Sequence, residues 1–175
     1  MAYAGACKAL YTGSIPVVAS SAIRAYMLPG MPSEASPEIL ARVKDAFEWW
    51  NGGEPQLMLD EYAEDGELDL SAVFMDTPVI RGHENMRHKL DEWWQAWEGL
   101  RMESLDVVDM GPGRFVVDVR LWGRGKRSGA EVDQRFAFLY TLRGADNKIV
   151  RAQLFPNTQA AIDSAAASEA AAPSS

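Results

Sequence analysis

The sequence predicts an α+β domain, with about three helices on one face of a curved antiparallel sheet. Three observations carry that expectation. The clear helical periodicities lie before Leu100. Four alternating, strand-like stretches then follow one another through short turns, as in an antiparallel meander. Finally, Met86, Leu90, Trp93, Trp94 and Trp97 recur at steps of four, three, one and three, the apolar stripe of a helix lying on a core. Three indoles on one stripe need a broad surface beneath them, and the later strands supply it.

Ser36-Pro37-Glu38 is a helix start, with a capping hydroxyl, proline at the first position and an acid in the first turn. Ile39, Leu40, Val43, Phe47 and Trp50 then repeat with helical spacing until Asn51-Gly52-Gly53 stops the helix. A shorter helix follows Pro55, carrying Leu57, Met58, Leu59 and Tyr62. Asp65-Gly66 reads as a turn into a strand over 67–74. On that strand Leu68, Leu70, Ala72 and Phe74 share one face, and Glu67, Asp69, Ser71 and Val73 the other. The Trp-bearing helix starts near Arg81-Gly82. Strands are expected over 102–110, 114–125, 128–143 and 148–155, the last stopped by Pro156. Residues 160–175 are Ala/Ser-rich and read as a frayed helix ending in disorder.

With 175 residues and 47% apolar content, the chain suits one domain with a full core. The expected division is a disordered or misassigned extension over 1–36, the domain over 37–163 and a tail over 164–175. Residues 1–33 hold Lys8 and Arg24 but no acid. Thr12, Gly13, Ser14 and Pro16 interrupt any compact signal-like apolar stretch, so a cytoplasmic protein is expected. A second reading starts translation at Met31. The formal charge of −8, without a basic stripe, argues against nucleic acid or an anionic membrane as partner. Cys7 is the only cysteine, which excludes an intrachain disulfide and a thiolate cluster. His83 and His88 are five apart, not the three or four that bring two ligands onto one helix face, so no metal is expected. Gly123–Gly125 lies at a hairpin without a following helix, so no phosphate loop or other cofactor motif is read.

Four stretches together carry a family resemblance: A-F-E-W-W-N-G-G in the first helix, V-I-R-G-H-E-N-M-R before and into the third, E-V-D-Q-R-F-A-F-L-Y-T-L-R and K-I-V-R-A-Q-L-F in the last two strands. In their order and spacing, over about residues 37–163, the chain resembles the SnoaL-like group of the nuclear transport factor 2-like (NTF2-like) superfamily. That resemblance implies a cone-shaped α+β barrel, a small-molecule pocket at its wide end, and a homodimer through the convex face of the sheet. The superfamily holds isomerases, cyclases, dehydratases and epoxide hydrolases, so the fold alone does not choose an activity.

The pocket is expected to draw Trp50 from the first helix, Leu70 and Phe74 from the first strand, and Leu90, Trp94 and Trp97 from the third helix. Leu121, Gln134, Phe136, Phe138, Gln153 and Phe155 would come from the sheet. Each apolar member has packed core as its ordinary alternative. Gln134 and Gln153 stand out as amides on apolar faces, so they either bond structurally or meet a ligand. Acid–base chemistry in such a cavity needs a carboxylate or tyrosine with a shifted pKa. Aligned on the resemblance, the steroid isomerases' base falls at Leu70, their helix tyrosine at Ala46 and their oxyanion-binding acid near Phe138. The epoxide hydrolases' inward carboxylate falls at Gln153. None is retained, which leaves Asp69 as the weak catalytic candidate, provided that it turns inward. The expected function is binding of a small, largely hydrophobic molecule. The alternatives are an isomerase, cyclase or hydrolase acting on a polyketide-like or terpenoid substrate, and an interaction module using the sheet face. That outer face carries Trp122 and Leu139 among Asp118, Arg120, Asp133, Arg135, Ala137 and Arg151.

Overall fold

The computed structural model describes residues 33–170. The readings placed on residues 1–32, including a start at Met31, lie outside the described residues. The first described element is β1 (Ser33–Glu34), paired antiparallel with the far end of β4 (Trp97–Asp109). Residues 33–36 therefore belong with the domain, ahead of the boundary expected at residue 37.

Helix α1 (Pro37–Gly52) forms as its termini dictate. The Ser36 hydroxyl accepts the Ile39 backbone N–H at 3.3 Å, and Gly53, at φ 89°, closes the far end in a left-handed conformation. Val43, Phe47 and Trp50 form its buried stripe. The stretch after Pro55 is a 3-10 helix (Pro55–Glu61). β2 (Tyr62–Asp69) starts and ends five residues earlier than the expected strand over 67–74. The cause lies at its exit: the Leu70 carbonyl accepts the N–H groups of both Val73 and Phe74, and the Asp69 carboxylate accepts that of Ser71. These bonds turn the chain where alternation alone would let it run on. Gly66 is a strand residue rather than a turn residue. A Cβ there would stand 2.9 Å from the Ala63 carbonyl oxygen and 3.2 Å from that of Ile149, so only glycine admits this approach.

After β3 (Ile80–Arg81), α2 (His83–Ala96) carries the tryptophan stripe up to Trp94. Trp97 is already extended, at φ −117° and ψ 148°, and opens β4 instead of closing the helix. β5 (Arg114–Gly125) matches its expected bounds, β6 (Glu131–Leu142) lies inside its own, and β7 (Ile149–Phe155) starts one residue late. The sheet order is β1-β4-β5-β6-β7-β2-β3. All neighbours run antiparallel except β2 and β7, which pair in parallel and make the sheet mixed. The sheet is curved and does not close. Its concave side meets α1 and α2 over the main core, where Trp50, Leu70, Met86, Leu90, Val117 and Ala152 are buried.

The Ala/Ser-rich segment forms α3 (Thr158–Ala170), which lies on the convex side. Ala161 and Ala165 are fully buried there against Met110, Val116, Ala137 and Leu139. The Arg114 guanidinium donates to the Ala165 carbonyl at 2.7 Å. Part of a face expected to be open is thus covered by the chain itself. No described helix is long and apolar enough to cross a membrane.

Candidate functional site

The concave side holds a cavity of about 300 Å³ between the sheet and the end of α2. That is near the lower end of small-molecule pockets, about 300–1,000 Å³. Strand pairing builds it. Val119 stands opposite Phe136, and Leu121 opposite Gln134, on the inner faces of β5 and β6. β4 adds Leu100 and Met102, and β7 adds Leu154. Trp93 and Trp97 form the wall at the end of α2, and Phe74 reaches over from the turn after β2. Asn51 anchors this arrangement by treating β4 as a neighbouring strand. Its side-chain amide donates to the Met102 carbonyl at 2.7 Å, and its oxygen accepts the Met102 N–H at 3.0 Å.

The lining is apolar and aromatic, and among the described residues Gln134 is its only polar member. Among the described residues no acid, base or tyrosine lines it. Of the residues expected at a pocket, Phe74, Trp97, Gln134, Phe136, Phe138 and Leu121 meet around this cavity. Trp50, Leu70, Leu90 and Trp94 do not line it: they form the core behind. Trp50 packs on Trp93 at 6.3 Å between ring centroids and on Trp94 at 5.7 Å, and so backs the cavity wall at one remove. The indole N–H groups of Trp50 and Trp94 are buried without a hydrogen-bond partner among the described residues.

Gln153 and Phe155 are corrections, because both stand on the convex side. In the β6–β7 ladder Leu154 faces Phe138 and Ala152 faces Tyr140, whereas Gln153 faces Leu139 and Phe155 faces Ala137. A register shift between Thr141 and Leu142 breaks the alternation, so Ile149 and Leu154 both point inward although five residues apart. Phe155 is covered by α3, which explains an apolar residue on the outer face. The residues missed were Trp93, Leu100, Met102, Val119, Val132 and Leu154. Val119 was readable, since it shares the β5 alternation with Leu121.

Asp69 does not provide a base. It pairs with Gln153 in the parallel β2–β7 ladder and so lies on the convex side. Its Oδ1 accepts the Ser71 hydroxyl at 2.7 Å and backbone N–H at 3.1 Å, and its Oδ2 accepts the Arg151 guanidinium at 3.0 Å. Partial burial pushes the carboxyl up, but the Ser71 and Arg151 hydrogen bonds outweigh it and hold the group below the ordinary Asp value of 3.8. A carboxylate so held is ionised and occupied. A depressed folded pKa means that the stabilisation is present above 3.8 and fades as pH falls through the folded value. Asp69→Asn is therefore expected to cost about 1 kcal/mol at neutral pH and much less in acid, with cavity binding unchanged. Urea melts at the two pH values read this directly, and an equal loss at both would contradict it.

At the opposite end of the core, Tyr62 and Tyr140 flank a void of about 30 Å³ beside the Arg42–Glu61 ion pair. This has room for about one water. Burial pushes both phenols well up, and Tyr140 adds to the effect on Tyr62, so both stay protonated. His83, at the start of α2, donates from Nε2 to the Tyr62 carbonyl at 3.1 Å and is thus a structural contact away from the cavity. Among the described residues no three His, Cys, Asp or Glu side chains gather as a metal site.

Solved structures share this architecture. A hypothetical protein with a ketosteroid isomerase-like fold from Catenulispora acidiphila, crystallised with trimethylamine, is 17% identical. The match covers 69% of this chain and 86% of that one, with a TM-score of 0.58. A candidate SnoaL-like polyketide cyclase from Jannaschia sp. CCS1 is 20% identical over 81% of this chain and 99% of its own, with a TM-score of 0.58. TerC, co-crystallised with polyporic acid, is 18% identical over 75% and 99% of the two chains, again with a TM-score of 0.58. At these identities the likeness is one of fold. No functionally curated protein matches the chain. The family model of the SnoaL-like domain matches residues 43–152, from the middle of α1 to the middle of β7, and the chain belongs to that family.

Proposed function

We propose that this chain binds a small, uncharged, largely apolar molecule in the cavity between the sheet and α2. One observation carries the reading: an open space of about 300 Å³ with aromatic and aliphatic walls and a single amide. An ion placed there would give up its hydration for no counter-charge, a cost of several kcal/mol. An apolar molecule gains about 25 cal/mol for each Å² it withdraws from water. Two structural neighbours were crystallised with small organic molecules, trimethylamine and polyporic acid, which supports small-molecule binding by this fold. Acid–base catalysis finds less support, because Asp69 faces away and Gln134 cannot ionise at neutral pH. The test is titration of the full chain with N-phenyl-1-naphthylamine, a neutral dye that fluoresces in apolar surroundings. Saturable binding at one site per chain is expected, and its absence rejects the reading.

The proposal extends to a cytoplasmic homodimer using the part of the convex face that α3 leaves open. Trp122 is 37% exposed there, with the Arg120 guanidinium 5.4 Å from its ring centroid. Arg120 is bidentate to Asp133 at 2.7 and 2.9 Å, and Arg135 bonds Asp118 at 2.5 Å. An exposed indole within alternating charges suits a self-complementary contact. Sedimentation is expected to show a dimer that Trp122→Glu dissociates. A monomer mass at every concentration rules the dimer out.

A further inference from the structure

Resting on that binding reading, we infer that Gln134 orients the occupant, so that the cavity selects an apolar molecule with one hydrogen-bonding group held outward at the mouth. The argument is a gradient of burial across the cavity lining, from a floor on β4, β5 and β7 to a rim at Phe74 and Gln134. Val119 is 1% exposed and Leu154 3%, with Leu100 and Met102 also buried, and these form the floor. Phe74, at 44%, and the exposed Gln134 form the rim. On the inner face of β6, successive positions descend from Gln134 to Phe136 and then Phe138, opposite Leu121, Val119 and Val117 in turn.

A polar group carried to the floor would meet only hydrocarbon and aromatic carbon. It would lose its water with nothing in return. At the rim it meets an amide that presents both a donor and an acceptor. The Gln134 side chain makes no hydrogen bond to any described residue, so its amide is available to an incoming group. Phe74, Trp93, Trp97, Phe136 and Phe138 favour a flat body below that group. A hydroxyl is the best single match, since it donates and accepts at once. Because Gln134 is exposed, water competes for it, and the selection is expected to be about three- to tenfold rather than larger.

The experiment displaces N-phenyl-1-naphthylamine from the full chain with 2-naphthol and with 2-methylnaphthalene, which differ by hydroxyl against methyl. The readout is the ratio of the two dissociation constants, methyl over hydroxyl. That ratio is expected to fall about three- to tenfold in Gln134→Met. In Gln134→Glu, which keeps an acceptor for the hydroxyl proton, it is expected to stay near the wild-type value. Dye binding with the same ratio in the wild type and Gln134→Met overturns the inference and leaves the binding reading standing. No dye binding to the wild type overturns both. The position is exposed, so both variants are expected to fold, and a urea melt of each confirms that the ratio is read on native protein.

Discussion

Trp50→Ala is expected to destabilise the fold by about 3–5 kcal/mol, the range for large-to-small changes at buried aromatic sites. Against a total stability of about 5–15 kcal/mol, such a loss brings the domain close to unfolding. Trp50 is 1% exposed and sits where α1, α2 and the sheet converge, against Trp93 and Trp94. Its removal opens a void that three elements would have to shift to fill. Trp50→Phe is expected to behave differently. It leaves a smaller void and also removes a buried N–H that has no partner, whose desolvation costs about 1–3 kcal/mol. The Phe variant should therefore keep most of the stability lost in the Ala variant. Urea unfolding of the three proteins tests this. Equal loss in Phe and Ala would mean that the indole N–H is satisfied in solution.

The second large effect concerns binding. Val119→Phe combined with Leu154→Phe adds two rings to the cavity floor and is expected to weaken dye binding at least tenfold, about 1.4 kcal/mol or more. Overpacking a tight core costs about 1–3 kcal/mol, but these rings enter empty space, so stability should change by less than that. Affinity and stability thus move separately, unlike in Trp50→Ala, where the wall behind Trp93 collapses with the core. Unchanged dye affinity in the double variant would place the bound dye elsewhere on the surface.

These residues also show how far the sequence could be read. α1 was legible because its two ends carry their own chemistry, the Ser36 cap and the Gly53 stop. β5 was legible because Gly111-Pro112-Gly113 and Gly125 bracket a clean alternation. β2 was not, because what ends it is a set of local bonds to the Leu70 carbonyl and the Asp69 carboxylate. Apolar spacing carries no trace of those bonds. β7 failed for a different reason. Phe155 is apolar on the convex face because α3 covers it, and Ile149, Ala152 and Leu154 are apolar toward the core, so alternation could not distinguish the two faces. The register shift opposite Leu142 then reversed the assignment of Gln153 and Phe155. The cavity itself was legible only as a list of apolar candidates. Whether a large side chain fills a space or borders it depends on relative placement, and no local pattern records that. Trp50 fills and Trp97 borders, though both read as inward.

The parallel pairing of β2 with β7 sets the order in which this chain can be completed. Tyr62–Asp69 has one full-length neighbour in the sheet, and it is made of residues 149–155. The antiparallel strands β4 to β7 can zip from turn to turn, whereas joining β2 requires closure of a loop that contains α2 and most of the sheet. On the ribosome, α1, β2 and α2 emerge first and must wait with Leu68, Leu70 and the indoles unshielded until β7 has been made. Refolding is therefore expected to show a late step in which the helical half docks onto an already assembled meander. A nascent chain halted before Ile149 would hold the Asn51–Met102 link between α1 and β4 but would lack the strand that pairs with β2 and the Leu154 part of the cavity floor.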